Sequence, residues 1–140
     1  MTTIVLVGNT LAADRRVTIG DTIVGDDFKK VFKTPDGWIG AWSGSLTGGH
    51  AFQSWAFGDR EGMPPGGNYD GVLVDVRGRV YNFENGKPLP NSRKKRFMAW
   101  GSGTAAALGA LYAGATAKKA VLIAQKIDSA SGGGVDEVSI

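Results

Sequence analysis

The sequence predicts an α+β fold in which helices cover mainly antiparallel sheets. Three observations point there. Short β-rich runs bounded by turn residues fill most of the chain before Gly101. Two alanine-rich segments with strong helical propensity follow Gly103. The 22 glycines among 140 residues, more than twice the average usage of about 7%, fall in GS, GG and GSG pairs with no collagen-like period. They therefore read as tight turns and close backbone approaches, not as disorder. The length fits one domain over 1–140, with enough chain to bury a real core. There is no internal repeat and no interdomain linker.

Thr3 to Val7 (TIVLV) is β-rich and almost wholly apolar, the mark of a strand buried on both faces. Gly8-Asn9-Thr10 is turn chemistry, and Leu11 to Arg15 returns as the partner strand of a hairpin. Thr22 to Val24 is a short strand. In Phe28 to Lys33 (FKKVFK) the alternation places Phe28 and Lys30 on one face and Lys29 on the other. Thr34-Pro35-Asp36-Gly37 is a turn, and Trp38 to Ser43 (WIGAWS) is the next strand.

Gly44 to Gly49 is too glycine-rich for a helix centre, so the first helix is placed at His50 to Phe57, with Ala51, Phe52, Trp55 and Ala56 on its apolar face. Gly58 to Gly67 is a loop. GVLVDV and RVYNFE form a hairpin turning at Arg77-Gly78, and Phe97 to Trp100 is a further strand. Thr104 to Ala113 and Thr116 to Lys126 are helices, the second capped by Thr116. Val135 to Ile140 is the last strand.

Composition excludes several classes of function. The absence of cysteine removes disulfides, thiolate zinc sites and cysteine nucleophiles, and fits a reducing cytoplasm. No signal peptide and no apolar run of membrane-spanning length is present. The net charge of +3 mostly reflects Arg93-Lys94-Lys95-Arg96, which reads as a solvated turn before a strand. No aromatic–glycine RNA-binding signature accompanies it, so nucleic acid and membrane are not expected partners. Lone His50 reads as structural or solvent-exposed. Trp38, Trp42, Trp55 and Trp100 read as core or interface anchors.

Five stretches carry a resemblance: TTIV from Thr2, AADRRVT ending at Thr18, FKKVF around Lys30, GSG at Ser102, and DSASGG from Asp128. In this order and spacing they resemble the proteasome β-subunit and HslV-like peptidase family of N-terminal-nucleophile threonine hydrolases. The likeness runs from Thr2 to Ile140, and DSASGG is its most specific piece. Each residue singly has a plainer reading: a chain end, a surface ion pair, turn serines. Their joint occurrence is what carries the likeness.

The resemblance implies an αββα four-layer sandwich and threonine-peptidase chemistry, with Thr2 as the nucleophile freed by removal of Met1. A hydroxyl needs an adjacent base, and the α-amine of the same residue can serve, with an ordinary pKa of about 7.7–8.0. Lys30 matches the family lysine, Asp14 its acidic partner, and Ser102, Asp128 and Ser131 the polar residues around the threonine amine. Ala41 falls at the backbone oxyanion donor and Thr18 at the residue that pairs with an extended substrate. No cofactor and no metal is implied.

The substrate implied is an unfolded or extended polypeptide. The partners implied are further copies of the chain, with an ATPase unfoldase as a family feature that nothing in this chain specifies. The chain departs from the family between residues 44 and 69, where only one short helix fits and relatives have two long ones. That leaves a ring, a double ring or a smaller oligomer open, and it suggests a compact bacterial or phage member. No pro-segment beyond Met1 is expected. Two other readings stay open: an amidase using the same nucleophile on a small amide, and a catalytically silent proteasome-like assembly protein.

Overall fold

The computed structural model describes residues 2–90 and 95–140. Met1 lies outside the described residues, as do Arg93 and Lys94 of the basic run, while Lys95 and Arg96 are exposed. The chain opens with a hairpin of β1 (Thr3–Val7) and β2 (Thr10–Asp14), followed by a small hairpin of β3 (Val17–Ile19) and β4 (Thr22–Gly25). Then come β5 (Val31–Lys33), β6 (Ile39–Gly44), α1 (Leu46–Phe57), β7 (Tyr69–Val74), β8 (Val80–Glu84) and β9 (Lys87–Pro88). β10 (Phe97–Gly101), α2 (Thr104–Tyr112), α3 (Ala117–Ile127) and β11 (Val135–Ser139) complete it. One sheet has the order β10-β1-β2-β11 and the other β5-β6-β7-β8-β9, and all their pairings are antiparallel. The expected α+β class, with antiparallel sheets and three helices, is what the described residues form.

Strand alternation sorts the core. Ile4, Leu6, Leu11 and Ala13 pack against Val31, Ile39, Ala41, Val72 and Val74, so the two sheets share one apolar face. The opposite faces of β1 and β2, through Val5 and Ala12, pack on Ala107, Leu111, Ala120, Val121 and Ala124 of α2 and α3. Phe32, Trp42, Leu73 and Phe83 face Phe52 and Ala56 of α1. A strand covered on both faces has no polar position to spare, which is why TIVLV is a continuous apolar run. Thr116 caps α3 as expected, its hydroxyl accepting from the Lys119 N–H at 3.2 Å.

The first helix begins earlier than its glycines suggest. Ser45 caps it by accepting from the Gly48 N–H at 3.0 Å, and Gly48 and Gly49 lie inside the helix on its buried face. A Cβ on Gly49 would stand 2.1 Å from the Trp42 indole, and one on Gly48 2.8 Å from the Tyr69 ring. The low helical propensity of glycine, about 1 kcal/mol per residue, is offset by letting fully buried Trp42 pack directly on the helix backbone. The buried stripe runs through Phe52 and Ala56, with Ala51 and Trp55 only half-buried at its border.

Other boundaries differ too. Regular pairing in β5 starts only at Val31, and the short strands β3 and β9 have no strong pattern of their own in the sequence. As expected, a single helix stands between residues 44 and 69. The loop after it is fixed by Arg60, whose guanidinium lies 4.1 Å from the Trp38 ring centroid, donates to the Ala56 carbonyl at 2.6 Å and pairs with Asp36. Trp38 in turn stacks on Tyr81, centroids 5.6 Å apart.

Two glycine-to-alanine substitutions in helices should have opposite signs. Gly49→Ala overpacks against Trp42 and is expected to destabilise by about 1–3 kcal/mol, although propensity alone predicts a gain. Gly109→Ala, in α2 with nothing within 4 Å of its would-be Cβ, is expected to stabilise by up to about 1 kcal/mol. Urea unfolding midpoints measure both, and a stabilised Gly49→Ala would refute this account of the helix start.

Candidate active site

The hairpin β1–β2 pairs Ile4 with Ala13, which brings the residues just beyond, Thr3 and Asp14, side by side at the open end. Asp14 is 0% and Lys30 1% exposed. An ionised carboxylate without water must be fully hydrogen-bonded, and this one is supplied from several segments. Its Oδ1 accepts from the Thr3 N–H at 3.1 Å and from Lys30 Nζ at 3.0 Å. Its Oδ2 accepts from the Gly132 N–H at 2.9 Å and the Arg16 N–H at 3.2 Å.

Lys30 immediately precedes β5 and turns inward, while Lys29 is exposed, as the alternation predicts. Its Nζ donates to Asp14 Oδ1, to the Arg16 carbonyl at 2.6 Å and to Thr2 Oγ1. All three hydrogens of the ammonium thus have an acceptor. Since Lys30 donates to Thr2 Oγ1, the hydroxyl's own hydrogen is left to point at another acceptor. Burial pushes the Lys30 ammonium below its ordinary value, opposed by the charge and hydrogen bond of Asp14 and more weakly by Asp128 and Asp26. Thr2 is itself 1% exposed.

A second polar chain reaches the same hairpin end. Asp128 Oδ2 accepts from Ser102 Oγ at 2.6 Å and from Ser131 Oγ at 2.7 Å. Ser131 Oγ also lies 2.7 Å from Thr3 Oγ1. Because the carboxylate takes the Ser131 hydrogen, Thr3 must be the donor in that contact. Burial pushes the Asp128 carboxyl up, but the hydrogen bonds from Ser102, Ser131 and the Ala130 N–H outweigh it, so the group lies below the usual carboxylate range.

The structure therefore brings Thr2, Asp14 and Lys30 into one hydrogen-bonded group. It brings Ser102, Asp128 and Ser131 together on Thr3, the adjoining residue. Thr3, overlooked in the sequence, is the link, and the doubled threonine was its only signal. Glycines fit the two groups around the strand start. A Cβ on Gly101 would stand 1.9 Å from the Thr2 carbonyl oxygen, and one on Gly103 1.8 Å from Thr3 Oγ1.

Ala41 is in β6, paired with Val31 and Val72, and is buried between the sheets. The Trp42 N–H next to it donates to the Lys30 carbonyl at 3.2 Å, which holds β6 beside the site. A groove of about 630 Å³ is lined by Thr18, Ile19, Gly44, Ser45, Asn68 and Ala130 among others. Thr18 and the end of β6 thus share a groove, but Ala41 itself is not in its lining. Ser43, between Ala41 and the groove, has a buried hydroxyl with no hydrogen-bond partner among the described residues. His50 is exposed, its ring edge-on to Trp42. Among the described residues no group of acidic, histidine or cysteine side chains could hold a metal ion, and no helix is long and apolar enough to cross a membrane.

No protein-family model matches the sequence, and no curated protein does. Solved structures do match the fold. Eukaryotic HslV from Trypanosoma brucei superposes with a TM-score of 0.70 at 18% identity, covering 98% of this chain and 97% of that one. Thiobacillus denitrificans BPH in complex with epoxomicin gives 0.67 at 19% identity over 99% and 97%. The same BPH without the compound gives 0.67 at 18% over 99% and 96%. The chain has the fold of these structures across nearly its whole length.

Between its depressed value and the ordinary 10.5, Lys30 binds fewer protons in the folded chain than in the unfolded one. Its contribution to stability therefore rises with pH across that window. Replacing it by Lys30→Met should remove that rise, so the stability difference between parent and variant shifts in the parent's favour as pH climbs. Asp14→Ala, which strands the buried ammonium, should destabilise by about 3–5 kcal/mol near neutral pH. Urea midpoints over a pH series test both, and a pH-independent difference for Lys30→Met would contradict the assigned burial effect.

Proposed function

We propose that this chain is an HslV- and proteasome-like threonine peptidase of the N-terminal-nucleophile class, with Thr2 as nucleophile once Met1 is removed. The observation that carries the proposal is the buried Thr2–Lys30–Asp14 group at the start of β1. A charged pair out of water, aimed at a hydroxyl on the second residue, is a costly arrangement with no evident structural need. The packing of α2 and α3, the two sheets and α1 supports an αββα sandwich in one domain.

In this reading the Thr2 α-amine takes the Oγ1 hydrogen as Oγ1 bonds to the scissile carbonyl carbon. The Lys30 ammonium, hydrogen-bonded to Oγ1, stabilises the negative charge that develops there and lowers the pKa of the nearby amine. The tetrahedral oxyanion would be met by a backbone N–H at the groove end of β6, near Gly44, and not at Ala41, which the sheets bury. Collapse breaks the C–N bond, and the leaving amine departs with the proton. Water then hydrolyses the threonyl ester. Ser102, Asp128 and Ser131 would hold the amine and relay its proton through the Thr3 side of the site.

An extended polypeptide would lie in the groove and pair with the backbone at Thr18. The β3–β4 hairpin beside that groove exposes Ile19 at 73%, Ile23 at 50% and Val24 at 49%. Such a cluster favours coverage by another copy of the chain, so we place the enzyme in a cytoplasmic homo-oligomer. Feeding by an ATPase unfoldase is the family expectation.

The test is the intact mass of untagged protein before and after incubation with a peptide epoxyketone, whose ring adduct needs both a free terminal amine and a hydroxyl. We expect loss of Met1 and one stoichiometric adduct, none with Thr2→Ala, and a slowing of about 10²-fold or more with Lys30→Ala. Retained Met1 would refute the proposal and favour a silent assembly protein. Adduct formation with turnover of small amides but no peptide cleavage would point to an amidase.

A further inference from the structure

The sequence contains an arginine pair, Arg15-Arg16, whose members do different things. Arg15 makes one ion pair, to Asp136 at 2.7 Å, with its side chain 41% exposed. Arg16 forms a forked ion pair and also reaches a second segment. Its Nε and Nη2 donate to the two oxygens of Asp26 at 2.8 and 3.1 Å, and its Nη1 donates to the Ser129 carbonyl at 2.9 Å. Its guanidinium also lies flat enough against Gly132 that a Cβ there would stand 2.5 Å from Cζ. Asp26 meets the next residue in the same way, its carbonyl oxygen 2.5 Å from a would-be Cβ on Gly133. Gly132 thus lies directly beneath the Arg16 guanidinium, and Gly133 against Asp26.

The backbone of Arg16 belongs to the site. Its N–H is a donor to Asp14 Oδ2, and its carbonyl accepts the shortest described bond of Lys30 to a backbone atom, 2.6 Å. We propose that Arg16 is a positioning residue: its side chain clamps the Asp26 loop that leads to Lys30 and the 128–132 loop that carries Asp128 and Ser131, and so holds its own backbone, to whose N–H and carbonyl Asp14 and Lys30 are bonded. An exposed ion pair is ordinarily worth little. This one is bidentate, which fixes direction as well as distance, and a third bond ties it to a different segment. Small displacements at such a point matter because the reacting atoms tolerate little misplacement.

As a catalytic statement the proposal rests on Thr2 being the nucleophile, so the test has one arm that uses epoxyketone and one that does not. In the first, the rate of adduct formation by full-length, Met1-processed protein is split into a limiting rate and a half-saturating concentration. Arg16→Ala and Asp26→Asn should lower the limiting rate by about tenfold or more, with half-saturation changed less than about threefold, because neither side chain lines the groove. Arg16→Lys, which cannot form the fork, should fall between, and Arg15→Ala should match the parent.

In the second arm the Lys30 ammonium is titrated by ¹⁵N NMR. The charged groups acting on it are Asp14, Asp26 and Asp128, and Asp26→Asn removes one of them. Arg16→Ala, which leaves all three, should still shift the midpoint. Folded Arg16→Ala and Asp26→Asn proteins with parental limiting rates and an unmoved Arg16→Ala midpoint would overturn the proposal. If Arg16→Ala does not fold, exposed Asp26→Asn and Arg16→Lys decide it on rate. If the parent takes no adduct, the nucleophile reading fails instead, and the Lys30 midpoint alone decides whether Arg16 positions it.

Discussion

The buried ion pair of Asp14 and Lys30 is the constraint to which the rest of the site conforms. Two charges removed from water are tolerable only when nearly every hydrogen-bonding position is filled. The fold meets this by bringing backbone groups of Thr3, Arg16 and Gly132 to one carboxylate and the Arg16 carbonyl to the ammonium. These residues come from the first strand, the turn after the second, and the segment before the last. A pair bound in this way draws on both ends of the chain, which meet in the β10-β1-β2-β11 sheet.

Close backbone approach accounts for part of the glycine content, beside the twelve glycines that adopt positive φ. Gly101 and Gly103 let the Thr2–Thr3 peptide pass beside the start of α2, Gly132 and Gly133 let the Arg16–Asp26 pair cross, and Gly48 and Gly49 let α1 sit on Trp42 and Tyr69. In each case the missing Cβ makes room for a specific neighbouring atom, so the local loss of propensity or entropy is offset by a tertiary contact. Glycines with open surroundings, such as Gly109, have no such role.

The outer face of the five-stranded sheet shows how a short chain closes a layer with one helix. Phe52 contacts Phe32, Tyr69, Phe83 and Trp55 with centroids 5.4–6.3 Å apart, so one side chain anchors most of an aromatic cluster. Beyond the helix, the loop is held by Arg60 stacked on Trp38, an interaction that stands in for helical packing.

Period-two alternation, turn chemistry and alanine-rich helices were enough to read the α+β class, both main hairpins, the capped third helix and the inward turn of Lys30 beside outward Lys29. Those signals are local, so they survive in the sequence. The resemblance supplied Thr2, Asp14, Ser102, Asp128 and Ser131, which no periodicity marks. What only the tertiary structure decided is which distant residues meet. It extended α1 back through two glycines because Tyr69 and Trp42 pack against their bare backbone, and it placed Thr3 between the two polar groups. It also kept Ala41 out of the groove lining, and it made Arg16 a clamp while Arg15 remained a simple surface pair. Identical neighbouring arginines carry no sequence mark of this difference, because it depends on Asp26 and Ser129 arriving from elsewhere in the chain.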